Sequence, residues 1–98
     1  MRYELAFKVS ALKEWEKLGA TVREQFKKKL AERLENPHVP AAALAGASNL
    51  YKIKLRQAGY RLVYAVDDGV VTVTVIAVGK RDRNAVYEAA LSRLSARK

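Results

Sequence analysis

The stretch YKIKLRQAGYRLVY, Tyr51 to Tyr64, constrains the fold of this chain more than any other segment. Apolar or aromatic residues stand at Tyr51, Ile53 and Leu55, and again at Tyr60, Leu62 and Tyr64. That is the period-two pattern of strands with one buried face. An even-length turn over Arg56–Gly59 sets Leu55 against Tyr60, Ile53 against Leu62 and Tyr51 against Tyr64, so every pair on one face is apolar or aromatic. The same register sets Lys54 against Arg61 and Lys52 against Val63 on the other face. A slip of one residue opposes lysines to leucine and tyrosine across the core, which selects against it. Cations this close repel one another, so they need a solvated face or an anionic partner.

A third strand follows. Asp67-Asp68-Gly69 reads as the turn into VVTVTVIAV. The expected register opposes Tyr64 to Val71 and Leu62 to Val73, and puts Thr74 beside Arg61. This strand runs back towards the first turn and delivers GKRDR, Gly79 to Arg83. Asn84 is then expected to cap a final helix with Val86, Tyr87, Ala90, Leu91 and Leu94 on one stripe. Lys52, Lys54 and Arg61 thereby share a sheet face, and Arg81 arrives from the next strand.

Upstream, Tyr3, Leu5, Phe7 and Val9 alternate as an N-terminal strand. Ser10 is placed to cap a helix with Leu12, Trp15 and Leu18 inward, ended by Gly19 in the left-handed conformation. Thr21 and Glu24 have the spacing of a capping box for a second helix. Its apolar residues, Val22, Phe26, Leu30 and Leu34, repeat every fourth position up to Asn36-Pro37. Residues 36–49 read as a connector with one helical turn at Ala41–Leu44. The expected class is α+β: an N-terminal strand, an αα-hairpin packed on the sheet, a three-stranded antiparallel meander completing that sheet, and a C-terminal helix. One domain spans residues 1–98.

Charge decides the class of partner. Nineteen Lys and Arg face ten Asp and Glu, a formal +9 over 98 residues. Such an excess favours a polyanion, chiefly nucleic acid; a solvated basic surface or an acidic protein partner are the alternatives. There is no cysteine, which excludes disulfides and thiolate zinc sites. No apolar run reaches about 18 residues, so neither a membrane span nor an export signal is expected. A cytoplasmic protein fits these features.

Single basic residues on strands are most simply a solvated face, and Lys27, Lys28 and Lys29 on the second helix are most simply that, or a patch for a phosphate backbone. Trp15 at helical spacing is read as core ahead of a base-stacking platform. His38 stands alone in a loop, and one histidine does not make a paired acid–base ribonuclease site. Metal-ligand spacing, a glycine-rich phosphate loop and a serine triad are all missing; GKR after a strand lacks the other features of a Walker loop. What sets Lys52, Lys54, Arg61 and Arg81 apart is convergence without an intervening acid. Tyr87, one turn into the last helix, either reaches over this site to a phosphate or base or joins the apolar stripe with Leu91.

Such a site suits cleavage of an RNA phosphodiester. The 2′-OH must lose a proton, the charge on phosphorus must be met, and the 5′-oxygen must gain a proton. A lysine serves as base when neighbouring cations destabilise its ammonium, and Lys54 has that setting. Arginines hold the non-bridging oxygens. An arginine, with a pKa above about 12, donates a proton only against a strongly basic leaving alkoxide. Catalysis of this kind needs an external scaffold to orient the strand.

These segments resemble the RelE toxins of bacterial toxin–antitoxin pairs. The likeness runs through ALKEWEKLG, TVREQFKKKL, YKIKLRQAGYRLVY and VGKRDRNAVYEA, nearly the whole chain. It implies a RelE-like fold of microbial-ribonuclease type and a metal-independent, cofactor-free endoribonuclease that cuts mRNA in the A site of the 70S ribosome. The implied products are a 2′,3′-cyclic phosphate and a 5′-OH. It further implies Lys54 as general base, Arg81 as general acid, Arg61 and Lys52 as stabilisers of the phosphorane, and Tyr87 as the residue orienting the strand. Lys27, Lys28, Lys29, Arg56, Lys80 and Arg83 become contacts to mRNA or rRNA. A RelB-like antitoxin is the implied partner, with operator DNA bound only through that complex. Ala43 and Ala45 stand where relatives carry basic residues, which implies a different affinity or codon preference. Two other readings are a non-catalytic poison of a protein target, as in ParE-type relatives, and an RNA-binding module.

Overall fold

The Tyr51–Tyr64 hairpin has the register its residues dictate. In a computed structural model that describes residues 2–95, Leu55 pairs with Tyr60, Ile53 with Leu62, Tyr51 with Tyr64, Lys54 with Arg61 and Lys52 with Val63. Met1 and residues 96–98 of the expected single domain lie outside the described residues. The elements are β1 (Glu4–Phe7), α1 (Val9–Glu16), α2 (Ala20–Glu35), a short 3-10 turn (Pro40–Ala42), β2 (Leu50–Leu55), β3 (Tyr60–Asp67), β4 (Thr72–Lys80) and α3 (Ala85–Ser95). The sheet order is β1-β4-β3-β2. The β2-β3-β4 meander is antiparallel, whereas β1 lies parallel to β4, so the sheet is mixed.

Each sheet face has its own core. On one, Phe26, Leu30 and Leu34 of α2 and Ala11 of α1 meet Ile53, Leu55, Leu62, Tyr64, Val73 and Val75. On the other, Val86 and Ala90 of α3 meet Val63, Ile76 and Ala77, with Leu44 and Leu50 alongside. Trp15 packs between Phe7 and Phe26, with ring centroids 5.2 and 6.2 Å away. The Phe26-Leu30-Leu34 stripe lines one helix face, as i to i+4 spacing requires.

Several local expectations are corrected. Val9 starts α1 instead of ending β1, and it is 73% exposed. Lys8, not Ser10, occupies the N-cap of α1. The inward residues of α1 are Ala11 and Trp15, Leu18 is buried in the link to α2, and Leu12 is 40% exposed. Gly19 has φ −65° and serves as the N-cap of α2, so Thr21 lies inside the helix and makes no capping box. Glu24 bonds Lys27 instead. The helical turn of the connector falls at Pro40–Ala42, and Ala43 bridges to Tyr51.

The β3–β4 register also differs. Tyr64 pairs with Val75, Leu62 with Val78 and Arg61 with Gly79, across an irregularity at Val63/Tyr64. Val70 and Val71 belong to the turn, where Val71 takes φ 51°. Asp67 ties that turn by accepting from the Gly69 and Val70 amides at 2.9 and 3.2 Å. Thr74 therefore lies opposite Ala65, away from Arg61.

β1 covers only Thr72–Val75 of the β4 edge. Beyond it, side chains take over. Glu14 Oε1 accepts the Val78 amide at 3.1 Å, and Arg93 donates to the Ile76 carbonyl at 2.7 Å. The two side chains also pair with each other at 2.8 and 3.0 Å, joining α1 to α3. Burial pushes the Glu14 carboxyl up, but the Arg93 and Val78 hydrogen bonds outweigh it and hold it below its usual range. A strand edge that is buried without a neighbour is satisfied here by an ion pair.

Candidate active site

The β2–β3 turn positions the site. Gly59 takes φ 75°, which glycine adopts without steric cost, and its amide donates to the Leu55 carbonyl at 2.8 Å. The Gly59 carbonyl in turn accepts the Arg81 amide at 2.7 Å. One tight turn thus fastens the end of β4 to the hairpin and places Arg81 beside the Lys54–Arg61 pair. A cavity of about 40 Å³ is lined by Lys54, Arg56, Arg61 and Arg81 together with Leu55, Gly59 and Tyr60. Among the described residues, no carboxylate lines it.

Lys54 is half-buried, and its ammonium is destabilised. Loss of solvent contributes most, followed by the charges of Lys52, Arg56, Arg61 and Arg81. Together they pull its pKa below the ordinary lysine value. Lys52 does not line the small cavity, but its charge acts on Lys54 from the same strand. The Lys52 carbonyl accepts from Arg33 Nη1 at 3.2 Å.

Arg61 is oriented by α3 and the turn before it. Its guanidinium carbon stands 4.9 Å over the Tyr87 ring, and its Nη1 donates to Asn84 Oδ1 at 3.3 Å. Tyr87 lies between the core and the cationic cluster, while Leu91 of the expected stripe is 37% exposed. The tyrosine packs partly against the α3-side core and stacks on Arg61. Burial raises its phenol pKa against the opposing charge of Arg61, and its hydroxyl is buried without a hydrogen-bond partner.

The remaining basic residues divide. Lys28, Lys29 and Arg56 line an open groove of about 590 Å³ between α2 and the β2 edge, which Lys54 also borders. Gln25, Glu32 and Gln57 line it too, and no pattern in the sequence marks them. Lys27 faces a different groove, with Leu5, Phe7 and Trp15. Lys80 and Asp82 line a third, beside Glu14 and Ala85. Arg83 is exposed, with φ 48°. Of the six residues expected to contact RNA outside the centre, three therefore gather around it. Asn84 was expected to cap α3; its carbonyl accepts the Glu88 amide at 2.9 Å while its side chain turns to Arg61. Nothing in a linear sequence signals that diversion.

His38 belongs to another network. Its Nδ1 lies 2.9 Å from the Tyr51 hydroxyl and its Nε2 lies 2.9 Å from Asp68. Both ring nitrogens are engaged. Among the described residues, no group of three or more His, Cys, Asp or Glu gathers that could hold a metal ion. No helix among them is long and apolar enough to cross a membrane.

Residues 5–85 match the family described as ParE toxin of type II toxin–antitoxin system. The chain is 58% identical over 94 residues to the mRNA interferase toxin RelE of Escherichia coli K12, covering 96% of this chain and 99% of that protein. This chain belongs to the RelE/ParE family of type II toxins. A free-state structure of an Escherichia coli RelE mutant superposes with a TM-score of 0.89 at 56% identity, covering 96% of this chain and 99% of that one. The RelE toxin in the intact Escherichia coli RelBE toxin–antitoxin complex gives 0.80 at 60% identity, over 83% and 99% of the two chains.

Proposed function

We propose that this chain is the toxin of a type II toxin–antitoxin pair and a ribosome-dependent endoribonuclease that cuts mRNA in the A site. Lys54 takes the 2′-OH proton, and the oxygen attacks the adjacent phosphorus. Arg61 and Lys52 meet the charge that grows on the non-bridging oxygens, where preorganised cations act most strongly. Arg81 donates to the departing 5′-oxygen, and Tyr87 orients the strand by stacking. The 2′-oxygen–phosphorus bond forms as the phosphorus–5′-oxygen bond breaks, leaving a 2′,3′-cyclic phosphate and a 5′-OH. Lys28, Lys29 and Arg56 track the backbone along the groove beside α2, and the ribosome supplies the positioning that so small a site lacks.

The observation that carries this reading is the Lys54 ammonium, destabilised among four other cations with no carboxylate in the cavity. A lone phosphate-binding patch has no need of a lysine in that state. The kinship with an mRNA interferase at 58% identity supports it. A RelB-like antitoxin is the expected partner, given the relatives whose structures were solved with RelB or a RelB peptide, and cytoplasmic ribosomes are the expected place of action.

Primer extension on mRNA from a purified translation system tests the reading. Cuts confined to A-site codons, present only with ribosomes, are expected. The family model is that of a ParE toxin, which favours a second reading, a non-catalytic poison of a protein target. Growth arrest with intact mRNA would point there.

A further inference from the structure

The two residues that lead into α3, Arg83 and Asn84, both take the left-handed backbone region, with φ of 48° and 66°. L-residues rarely enter that region, and here both are the central residues of a turn that the Ala85 amide closes by donating to the Asp82 carbonyl at 2.8 Å. Strain of this kind concentrates at functional sites. As the residue before α3, Asn84 gives its carbonyl to the Glu88 amide at 2.9 Å, as an N-cap carbonyl does. Its side-chain oxygen, which in that place ordinarily turns onto the first amides, goes elsewhere. Asn84 Oδ1 accepts from Arg61 Nη1 at 3.3 Å. Three residues later, Tyr87 lies beneath the same guanidinium at 4.9 Å.

We propose that Asn84 is a positioning residue whose amide oxygen sets the rotation of the Arg61 guanidinium on the Tyr87 ring and aims its remaining donors at the reacting phosphate. The inference rests on the ribonuclease reading above. Stacking on an aromatic face holds the plane of a guanidinium but leaves it free to turn within that plane. A single hydrogen bond to one Nη removes that freedom and leaves the other N–H donors for phosphate oxygens. An amide suits this task where a carboxylate does not. Asp or Glu in the same place would form an ion pair and cancel the charge that the phosphorane needs. The neutral acceptor orients the cation and leaves it a cation.

Single-turnover cleavage on ribosomes with a defined A-site codon, beside thermal unfolding, tests this. Asn84→Gly relieves the strain at φ 66°, because glycine enters that region freely. Its melting temperature is expected to match or exceed that of the parent, while kcat falls about tenfold or more from a misdirected guanidinium and KM moves less. Asn84→Asp keeps the contact but neutralises Arg61. Lys54 faces Lys52, Arg56, Arg61 and Arg81 on the sheet, with Lys28, Lys29 and Glu32 across the groove. Cancelling Arg61 therefore lets the Lys54 pKa rise, and the ascending limb of the pH–rate profile shifts to higher pH. A helix-capping role would move melting temperature and neither kcat nor that limb. Parent-like kcat in Asn84→Gly and an unshifted limb in Asn84→Asp, with the parent cutting normally, overturn the proposal and leave the ribonuclease reading intact. A parent that fails to cut on ribosomes overturns both.

Discussion

The β2–β3 hairpin carries two polar constellations three residues apart along β2 and treats them in opposite ways. At the Tyr51–Tyr64 pair every group is satisfied. Tyr3 donates to Asp68 at 2.7 Å, His38 links Asp68 to Tyr51, and the Tyr64 hydroxyl donates to the Pro37 carbonyl while accepting from Arg33, both at 2.8 Å. At the Lys54–Arg61 pair, cations meet cations, and among the described residues the Arg61 guanidinium bonds a neutral amide and lies over an aromatic face. A completed network fastens the connector at 37–38 and the β3–β4 turn to the sheet. An incomplete one keeps a repulsion that an anionic group would relieve. One hairpin thus holds a satisfied polar network and a cluster of like charges, separated by about 10 Å of strand.

The comparison breaks most sharply at the arginines. Arg61→Ala or Arg81→Ala is expected to lower A-site cleavage about 10²–10³-fold, the usual result of losing a preorganised charge stabiliser. Melting temperature should hold or rise, since each change removes a repelling cation. Full cleavage in either variant would put the cluster on the side of surface charge.

Tyr64→Phe attacks the other pole. It leaves the Pro37 carbonyl and one Arg33 donor unpaired in a buried setting, a loss of about 1–3 kcal/mol readable in urea unfolding. Cleavage per folded molecule should not change; a drop in it would mean that the two constellations are coupled.

Lys54→Met sharpens the contrast through pH. Because the folded pKa of Lys54 lies below its unfolded one, its charged form opposes folding. The parent should gain stability as pH rises through the folded value towards the unfolded value near about 10.4. The methionine variant should lack that gain. Parallel slopes of melting temperature against pH in the two proteins would remove the argument for a destabilised ammonium.

Asp68→Asn should give the smallest effect, because the carboxylate is exposed and screened. The His38 contact first, then that from Tyr3, holds the Asp68 carboxyl below its usual range. Its contribution is therefore complete above the unfolded value of about 3.9 and fades as pH falls through the folded one. The difference in melting temperature between parent and variant should shrink accordingly on acidification; a difference that is constant with pH would assign the loss to shape instead of charge.

What could be read from residues alone followed the reach of each pattern. Ile53, Leu55 and Leu62 alternate without interruption, so the β2–β3 register and the Lys54–Arg61 pairing were legible. Val70 and Val71 look like strand and fold as turn, because Asp67 captures the Gly69 and Val70 amides; local hydrogen bonding outweighed β propensity and moved the β3–β4 register. The same arrival of Arg81 at the hairpin survived that error, since strand direction, not register, delivers it. Capping signals failed at Ser10 and Thr21 because each has a competent residue upstream whose backbone already turns there. The Glu14–Arg93 and Asn84–Arg61 pairs join residues 79 and 23 positions apart, and no periodicity encodes contacts between separate helices and strands.

The ion pair along the β4 edge has a consequence for how the protein behaves in company. Glu14 and Arg93 stand where a neighbouring strand would otherwise lie, so two side chains shield the backbone at Ile76–Val78 from other molecules. Arg93 sits on the helix that also carries Tyr87. Whatever draws that helix away uncovers an adhesive strip of main chain and takes Tyr87 off Arg61 at the same moment.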